Sequence, residues 1–323
     1  MLVLGLQGSP RKKGNTNYLL TTFMQEAEKT GARTHVIRAA KKNITPCLGC
    51  GFCEKNGFCV TQDDDMKPEI YPLLREADVI VLASPIYFYN VTAQIKLLID
   101  RSQALWSRKY KLNLTDPARN YRRGFLLSLG ATKGKNLFEG VHLTAKYFFD
   151  AAAASYEGGL TYWRIENSGE MEKHPSVQQE VKEAVNRLLA PLLGRKKILF
   201  VCRENACRSQ MAAAFAQYLG GDKIEASSAG SEPATEINSD MVAVMEEKGI
   251  DMAFRSTRAL NEAISETQPD MIVTMGCGEE CPLVPGAKML DWDLPDPAGK
   301  PLDFMRHVRD EIEQRVKDLI GEI

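Results

Sequence analysis

Short apolar runs alternate with longer amphipathic stretches along most of the chain. The runs at residues 3–6, 34–37, 79–83, 124–129 and 160–163 have the length of buried strands. Between them, Tyr18, Leu19, Thr22, Phe23 and Ala27 recur every three to four positions, as do Ile95, Leu98, Ile99 and Ser102, which is the spacing of one helix face. Such alternation predicts a parallel sheet covered by helices on both faces. The alanine tract at 151–155 reads as a tightly packed helix. Residues 180–193 predict a helix with Pro191 in its apolar tail and Gly194 at its end. The alternation then restarts with strands at 197–202, 223–228 and 270–274, and closes in a charged helix from about 304 to 320. The expected fold class is α/β, with two doubly wound parallel-sheet domains, 1–193 and 196–323, joined by a short linker.

Composition supports two globular domains. The 323 residues are 44% hydrophobic and 26% charged, and the net charge of −1 gives no general attraction to nucleic acid. The apolar opening of about six residues has no preceding positive region, and no run approaches the roughly 18 residues of a membrane span. The chain therefore reads as cytoplasmic, where thiols stay reduced. Its eight cysteines then point to metal binding or catalysis. They form two groups, at 47–59 and 202–281. The basic clusters at 11–13, 122–123 and 195–197 and the acidic run at 63–65 read as solvated surface. The four histidines lie outside every motif and read as structural or exposed.

Two β–α loops carry candidate chemistry in the first half. "GSPRKKGNTN" joins the first strand to the first helix, and its Ser9, Arg11, Asn15, Thr16 and Asn17 offer donors at a helix start, where an anion is favoured. It is neither a GxGxxG nor a Walker loop, and an ordinary capped turn explains it equally well. "ASPIYFYNVTAQIKLLIDR" follows the third strand with an aromatic-rich loop suited to a flat ring. Together the two stretches resemble the flavodoxin-like NAD(P)H-dependent FMN reductases and iron–sulfur flavoproteins, over about residues 1–190. The resemblance implies FMN, with its phosphate on the five residues of the first loop and its isoalloxazine against Pro85, Ile86, Tyr87 and Phe88. Gly130, Ala131 and Thr132 after the fourth strand are a weaker match to a flavin contact. The donor implied is NAD(P)H or reduced ferredoxin, and the assembly a homodimer or tetramer formed through this domain.

Cys47, Cys50, Cys53 and Cys59 are spaced C-x2-C-x2-C-x5-C. Four thiolates so close can wrap one inorganic core, and the spacing approaches a ferredoxin run, which favours a [4Fe–4S] cluster. Gly49, Gly51 and Gly57 allow the necessary tight turns. Structural zinc usually takes two CxxC knuckles further apart. Zinc and free or disulfide-forming thiols remain alternatives. The iron–sulfur flavoproteins share this compact spacing.

The second half opens on "VCRENACRSQ", a strand, a loop and a helix whose expected apolar face is Met211, Phe215, Tyr218 and Leu219. Loop N–H groups at a helix start bind a tetrahedral oxyanion, and the same field favours the thiolate of Cys202. Arg208 can hold two oxygens in its fork, Ser209 can donate to the thiolate, and Asn205 can fix the loop. C-x5-R-S alone is moderate evidence. Asp296 in "LPDPAGK" is the candidate general acid, although without the Cys202 loop it would read first as a turn former beside Pro297.

With "SSAGSEP", "VTMGCGEECPLVPG" and "DPAGKP", this half resembles the low-molecular-weight protein tyrosine phosphatase fold and, within it, the arsenate reductases. The resemblance implies that Cys202 attacks arsenate, Arg208 holds its oxygens and Asp296 assists loss of water. Cys277 and Cys281 would then relay the disulfide, with thioredoxin or ferredoxin as a partner. Three residues separate that pair, fewer than in many relatives, which leaves the order of attack open. Helical residues four apart have Cβ atoms about 5–6 Å away, beyond the roughly 3.5–4.5 Å of a disulfide, so the pair needs a loop. Cys207 is a bystander or an alternative resolving thiol. The expectation is a bifunctional redox protein whose FMN domain supplies electrons to the arsenate site. The rival readings are a protein tyrosine phosphatase fused to an FMN reductase, and an arsenic sensor.

Overall fold

The computed structural model describes residues 1–276 and 284–323. The chain divides into two units, residues 1–113 with 121–193, and residues 114–120 with 194–323.

Among the described residues, the first unit is built on β1 (Leu2–Gln7), β2 (Arg33–Arg38), β3 (Val79–Pro85), β4 (Arg123–Leu129) and β5 (Ser155–Tyr162). Its helices are α1 (Asn15–Glu28), α2 (Phe52–Asn56), α3 (Tyr71–Glu76), α4 (Ala93–Arg101), α5 (Gln103–Tyr110), α6 (Glu139–Ala151) and α7 (Val177–Leu189). The strands are all parallel, in the order β2-β1-β3-β4-β5, which is the flavodoxin-like doubly wound order. Buried on both faces, the central strands are almost continuously apolar. Val3, Val79, Val81, Phe125 and Leu127 pack with Leu19 and Phe23 of α1 and Val181 and Leu188 of α7. The opposite face meets α6, where Gly124 leaves room for Phe149: a Cβ there would stand 2.3 Å from its ring.

The second unit carries β6 (Lys196–Cys202), α8 (Arg208–Gly220), β7 (Ile224–Gly230), α9 (Ser239–Glu246), α10 (Leu260–Thr267), β8 (Met271–Thr274), β9 (Lys288–Asp291) and α11 (Leu302–Gly321). Among the described residues its four strands are parallel in the order β7-β6-β8-β9. The twofold alternation of β6 sends Ile198, Phe200 and Cys202 into the core shared with α8 and α11, and Leu199 and Val201 toward Leu260 and Ala263 of α10. Thus Cys202 ends its strand on the side of the helix that follows it. Residues 114–120 join this unit through main-chain bonds: Thr115 N–H donates to Gly249 O (2.7 Å), and Thr115 O accepts from Asp251 N–H (2.8 Å).

Several expectations need correction. The alanine tract is not a helix: α6 stops at Ala151, Ala153 takes φ 56°, and β5 begins at Ser155. That strand starts five residues before the predicted 160–163 because Gly158 and Gly159 disguise it. A Cβ at Gly159 would stand 2.5 Å from Leu126 O, so the glycine serves the close approach of β4. Arg122 is not solvated but fully buried, with Nε donating to Ala77 O (2.7 Å) and Nη1 to Ala152 O (3.0 Å). In the acidic run, Asp64 is buried and ion-paired with buried Arg101. On α8, Met211 and Phe215 are buried as expected, whereas Tyr218 and Leu219 are exposed. Small residues at 212, 213, 214 and 216 let β7 and α11 close on that helix instead.

Candidate functional site

In the second unit, Cys202 Sγ lies 3.0 Å from Ser209 Oγ, both buried. Asn205, fully buried at φ 52°, is the hub of the loop between them. Its Nδ2 donates to Ser209 Oγ (2.8 Å), and its Oδ1 accepts from Arg258 N–H (2.9 Å) and Gln210 Nε2 (3.2 Å). Gln210 Nε2 also donates to Ser256 O (3.0 Å). Asparagine is among the few residues that tolerate this left-handed conformation.

The loop's carbonyls face outward. Those of Cys202, Arg203, Glu204 and Ala206 accept from the N–H groups of Ser231 (3.3 Å), Glu232 (2.9 Å), Ala234 (2.9 Å) and Asn238 (3.1 Å). A trans peptide sets its N–H opposite its C=O, so the N–H groups of residues 203, 204, 205 and 207 turn to the inner side. Gly230 permits this docking, since a Cβ there would stand 2.6 Å from Arg203 O and 2.8 Å from Asn205 N. The N-terminus of α8 has no side-chain cap and no acidic residue in its first turn. Together these features make an anion cradle beside a thiol.

Arg208 is buried; its Nη1 donates to Leu294 O (3.0 Å) and its Nη2 meets Asp296 Oδ2 at 3.1 Å. Its Nε is buried without a hydrogen-bond partner among the described residues. Asp296 is exposed, and its Oδ1 accepts from Ala298 N–H (3.1 Å). The structure thus brings Cys202, Asn205, Arg208, Ser209 and Asp296 together. Cys277 and Cys281 lie outside the described residues. Cys207 precedes α8 as a buried thiol. Burial above all, with the charges of Cys202 and Asp296 outweighing Arg208, pushes it up to about 12. Gln210, Arg258 and Gly230 were not singled out in the sequence. The glycine of "SSAG" was the available signal.

In the first unit, the loops expected at a flavin leave β1, β3 and β4, three neighbours in the sheet, at their carboxyl ends. Gly8 N–H donates to Ala83 O (2.7 Å), Ile86 N–H to Leu129 O (2.9 Å) and Gly130 N–H to Tyr162 O (2.9 Å), so the loops splay from one edge. Tyr87 and Asn90 exchange main-chain bonds of 2.9 and 3.0 Å around Phe88 and Tyr89, which take φ 48° and 62° as in a tight hairpin turn. Phe88 stands wholly exposed at the tip, Pro85 and Ile86 are half-buried, and Ala131 and Thr132 are exposed. Tyr89 packs against the third loop and the start of α6, where Cβ atoms at Gly134 and Gly140 would meet its hydroxyl and its carbonyl oxygen at 2.6 and 2.4 Å.

The N-terminus of α1 has no side-chain cap and no acidic first-turn residue, and exposed Arg11, Lys12 and Lys13 precede it. Its chemistry fits a phosphate monoester such as that of FMN. Ser9 and Thr16 are buried in this turn, and Ser9 Oγ accepts from Arg11 N–H (3.3 Å). Asn15 is engaged with protein: its Nδ2 donates to Asn167 O (2.8 Å) and its Oδ1 accepts from Gly169 and Met171 N–H (3.1 and 3.2 Å). Asn17 Oδ1 accepts from Gln7 Nε2 (3.1 Å).

Cys47 and Cys50 are exposed and Cys53 and Cys59 half-buried, on a segment where Gly49, Gly51 and Gly57 take φ 62°, 69° and 73°. Four thiols on so short a run suit an iron–sulfur cluster by donor chemistry, and the left-handed glycines supply its turns. Among the described residues no three His, Cys, Asp or Glu side chains converge as metal ligands, so the thiols stand apart. No helix among the described residues is long and apolar enough to cross a membrane.

Comparison with known proteins follows this division. Residues 1–122 match the NADPH-dependent FMN reductase family, and residues 197–323 match the low molecular weight phosphotyrosine protein phosphatase family. An iron–sulfur flavoprotein of Methanocaldococcus jannaschii is 43% identical over 105 residues, 32% of this chain and 53% of that protein. The chain thus spans about half the length of such relatives. A glutaredoxin arsenate reductase of Synechocystis is 38% identical over 130 residues, 40% of this chain and 98% of that protein. Among solved structures, an arsenate reductase in the phosphate-binding state is 36% identical, with 40% of this chain and 98% of that one covered and a TM-score of 0.36. With a relative matched over nearly its whole length behind an FMN reductase domain, the chain belongs through residues 197–323 to the low-molecular-weight phosphotyrosine protein phosphatase family.

Proposed function

We propose that the chain is an oxidoreductase that reduces arsenate to arsenite in its second unit and handles electrons through FMN in its first. The observation that carries the reading is the loop around Cys202, whose N–H groups turn inward beside the Cys202–Ser209 pair and the buried Arg208 guanidinium. Near-complete coverage of an arsenate reductase supports it over other uses of the cradle.

In this reading Arg208 and the inward N–H groups hold three arsenate oxygens. Ser209 donates to the Cys202 thiolate, which attacks arsenic; an As–S bond forms and one As–O bond breaks. Asp296, beside Arg208, protonates the departing oxygen, which leaves as water. A second thiol then attacks Cys202 Sγ. The S–S bond takes the place of the As–S bond, whose electron pair stays on arsenic, and arsenite departs. Two thiols lose two electrons and arsenic gains two. Cys277 and Cys281 are the proposed relay.

For the first unit we propose that Ser9, Arg11, Thr16 and the start of α1 hold the FMN phosphate, and that the 85–88 and 130–132 loops flank its ring. Cys47, Cys50, Cys53 and Cys59 are the proposed donors to a [4Fe–4S] cluster. Bound FMN would supply exchange between hydride and single-electron carriers, and the cluster a single-electron store. A thioredoxin-like dithiol, NAD(P)H or reduced ferredoxin is the proposed donor class.

The phosphatase reading has the family match itself in its favour. The test is anaerobic donor oxidation by the purified chain with arsenate, beside phosphate-ester hydrolysis. Arsenate-dependent turnover should vanish in C202S and in C277S and C281S. If hydrolysis survives C277S and C281S and no arsenate turnover occurs with any donor, the chain is a phosphatase. Turnover with added thioredoxin alone, never with NAD(P)H or reduced ferredoxin, would reject electron supply from the first unit.

A further inference from the structure

We propose that Gln210, in the first turn of α8, is a positioning residue for Cys202: it holds the Asn205 amide in the sense that leaves the Ser209 proton to the Cys202 sulfur. The inference goes beyond the arsenate reading, because it concerns the thiol before any oxyanion binds.

Gln210 is buried, and its Nε2 lies 3.0 Å from Ser256 O and 3.2 Å from Asn205 Oδ1. A carbonyl oxygen only accepts, so the part of Gln210 that faces Ser256 is the amide nitrogen, whose second proton is left for Asn205. Arg258 N–H, 2.9 Å from the same Asn205 oxygen, only donates. Two main-chain groups therefore fix the sense of both amides. The segment that carries them is tied down separately: Gly230 N–H donates to Arg258 O (2.9 Å), and Thr257 Oγ1 donates to Ala234 O (2.6 Å).

With Asn205 Oδ1 taken by two donors, its Nδ2 donates to Ser209 Oγ (2.8 Å), and the Ser209 proton is left for Cys202 Sγ at 3.0 Å. Turned over, the Asn205 amide would set its NH2 against the Gln210 and Arg258 donors. Its oxygen would then draw the Ser209 proton away from sulfur. Buried donors left facing one another are costly, so each of the two donors opposes that reversal. Arg258 acts through its main chain, which any side chain at 258 would leave in place. Gln210 acts through its side chain, so its identity matters: methionine has similar length and donates nothing. The sense so fixed suits a thiolate, which can only accept.

The experiment uses the full chain as wild type, Q210M, S209A and S209A/Q210M. Alkylation of Cys202 by iodoacetamide is followed by peptide mass spectrometry at pH 6 and pH 9, and thermal melts report folding. Losing one neutral hydrogen bond should lower the ratio of the pH 6 rate to the pH 9 rate about two- to tenfold in Q210M. In the S209A background Q210M should change the ratio no further, because the effect passes through the serine hydroxyl. Arg208, Asp296, Glu204 and Cys207, which lie about this thiol among the described residues, are kept in every variant and cancel in the comparison. A wild-type ratio in Q210M overturns the inference. An equal fall in both backgrounds overturns it too, because Gln210 then acts by shaping the loop. Q210A takes the place of Q210M if the latter fails to fold; if neither folds, packing alone accounts for Gln210 and the inference falls. A chain without arsenate turnover rejects the proposed function and leaves this inference standing, since alkylation is read without arsenate.

Discussion

Cys202 Sγ and Ser209 Oγ lie 3.0 Å apart, and the same hydroxyl accepts from Asn205 Nδ2 at 2.8 Å. Because Asn205 supplies that donor, the Ser209 proton is free to point at sulfur. The hydroxyl can thereby donate to a thiolate at that position.

S209A removes this donor with little change in volume. A hydrogen bond to a charged group contributes about 1.5–3 kcal/mol, so Cys202-dependent turnover should fall about 10- to 100-fold. Turnover with arsenate and alkylation of Cys202 by iodoacetamide at fixed pH both report it. Equal rates in S209A and wild type would remove Ser209 from the mechanism.

G230A places a Cβ against two backbone atoms of the cradle, at 2.6 and 2.8 Å, which no side-chain rotation relieves. Overpacking of this kind costs about 1–3 kcal/mol. The variant should melt several degrees lower in its C-terminal transition and bind arsenate or phosphate more weakly, by calorimetry.

D64A leaves the Arg101 guanidinium buried without its carboxylate, whereas D64L/R101M removes both charges. Breaking one side of such a pair costs about 3–5 kcal/mol, while replacing both is often neutral. The single variant should therefore be less stable than the double one in thermal melts, and its four exposed and half-buried thiols should react faster with a thiol reagent.

The Cys207 thiol, pushed up to about 12 mainly by burial, stays protonated in the native protein at neutral pH. Against an ordinary cysteine it carries about a thousandfold less thiolate. Native-state alkylation at pH 8 should spare it, and mass spectrometry of peptides reads this directly. A raised folded value also means stability that is complete below the ordinary thiol range and is lost as pH climbs toward 12. C207A should flatten the alkaline decline in melting temperature between pH 9 and 10.5.

What the sequence revealed follows from the range over which each signal acts. Strand β6, the Cys202 loop and the start of α8 are contiguous, and apolar period and motif spacing define them together. Arg208 and Asp296 are 88 positions apart in the chain, and only the motif resemblance joined them before the 3.1 Å contact was visible. Asp64 and Arg122 were misread as solvated because charge in a local window predicts exposure, and the partner of Asp64, Arg101, is buried with it. Their burial depends on carbonyls at Thr45, Thr61, Ala77 and Ala152 that no local pattern announces. Gly159 likewise broke the reading of β5, although its missing side chain is what lets that strand pair with β4.

The outward carbonyls of the Cys202 loop decide which positions are open to change. The loop is held by main-chain atoms of residues 231–238, while the side chains of Arg203 and Glu204 project into solvent. The Arg203–Glu232 contact is exposed on both sides, and such pairs contribute about 0–1 kcal/mol. Residues 203 and 204 therefore form a rim whose charge can be rewritten while the cradle keeps its shape. Selection, or an engineer, can retune which oxyanion esters or partner proteins approach the thiol without rebuilding the chemistry beneath.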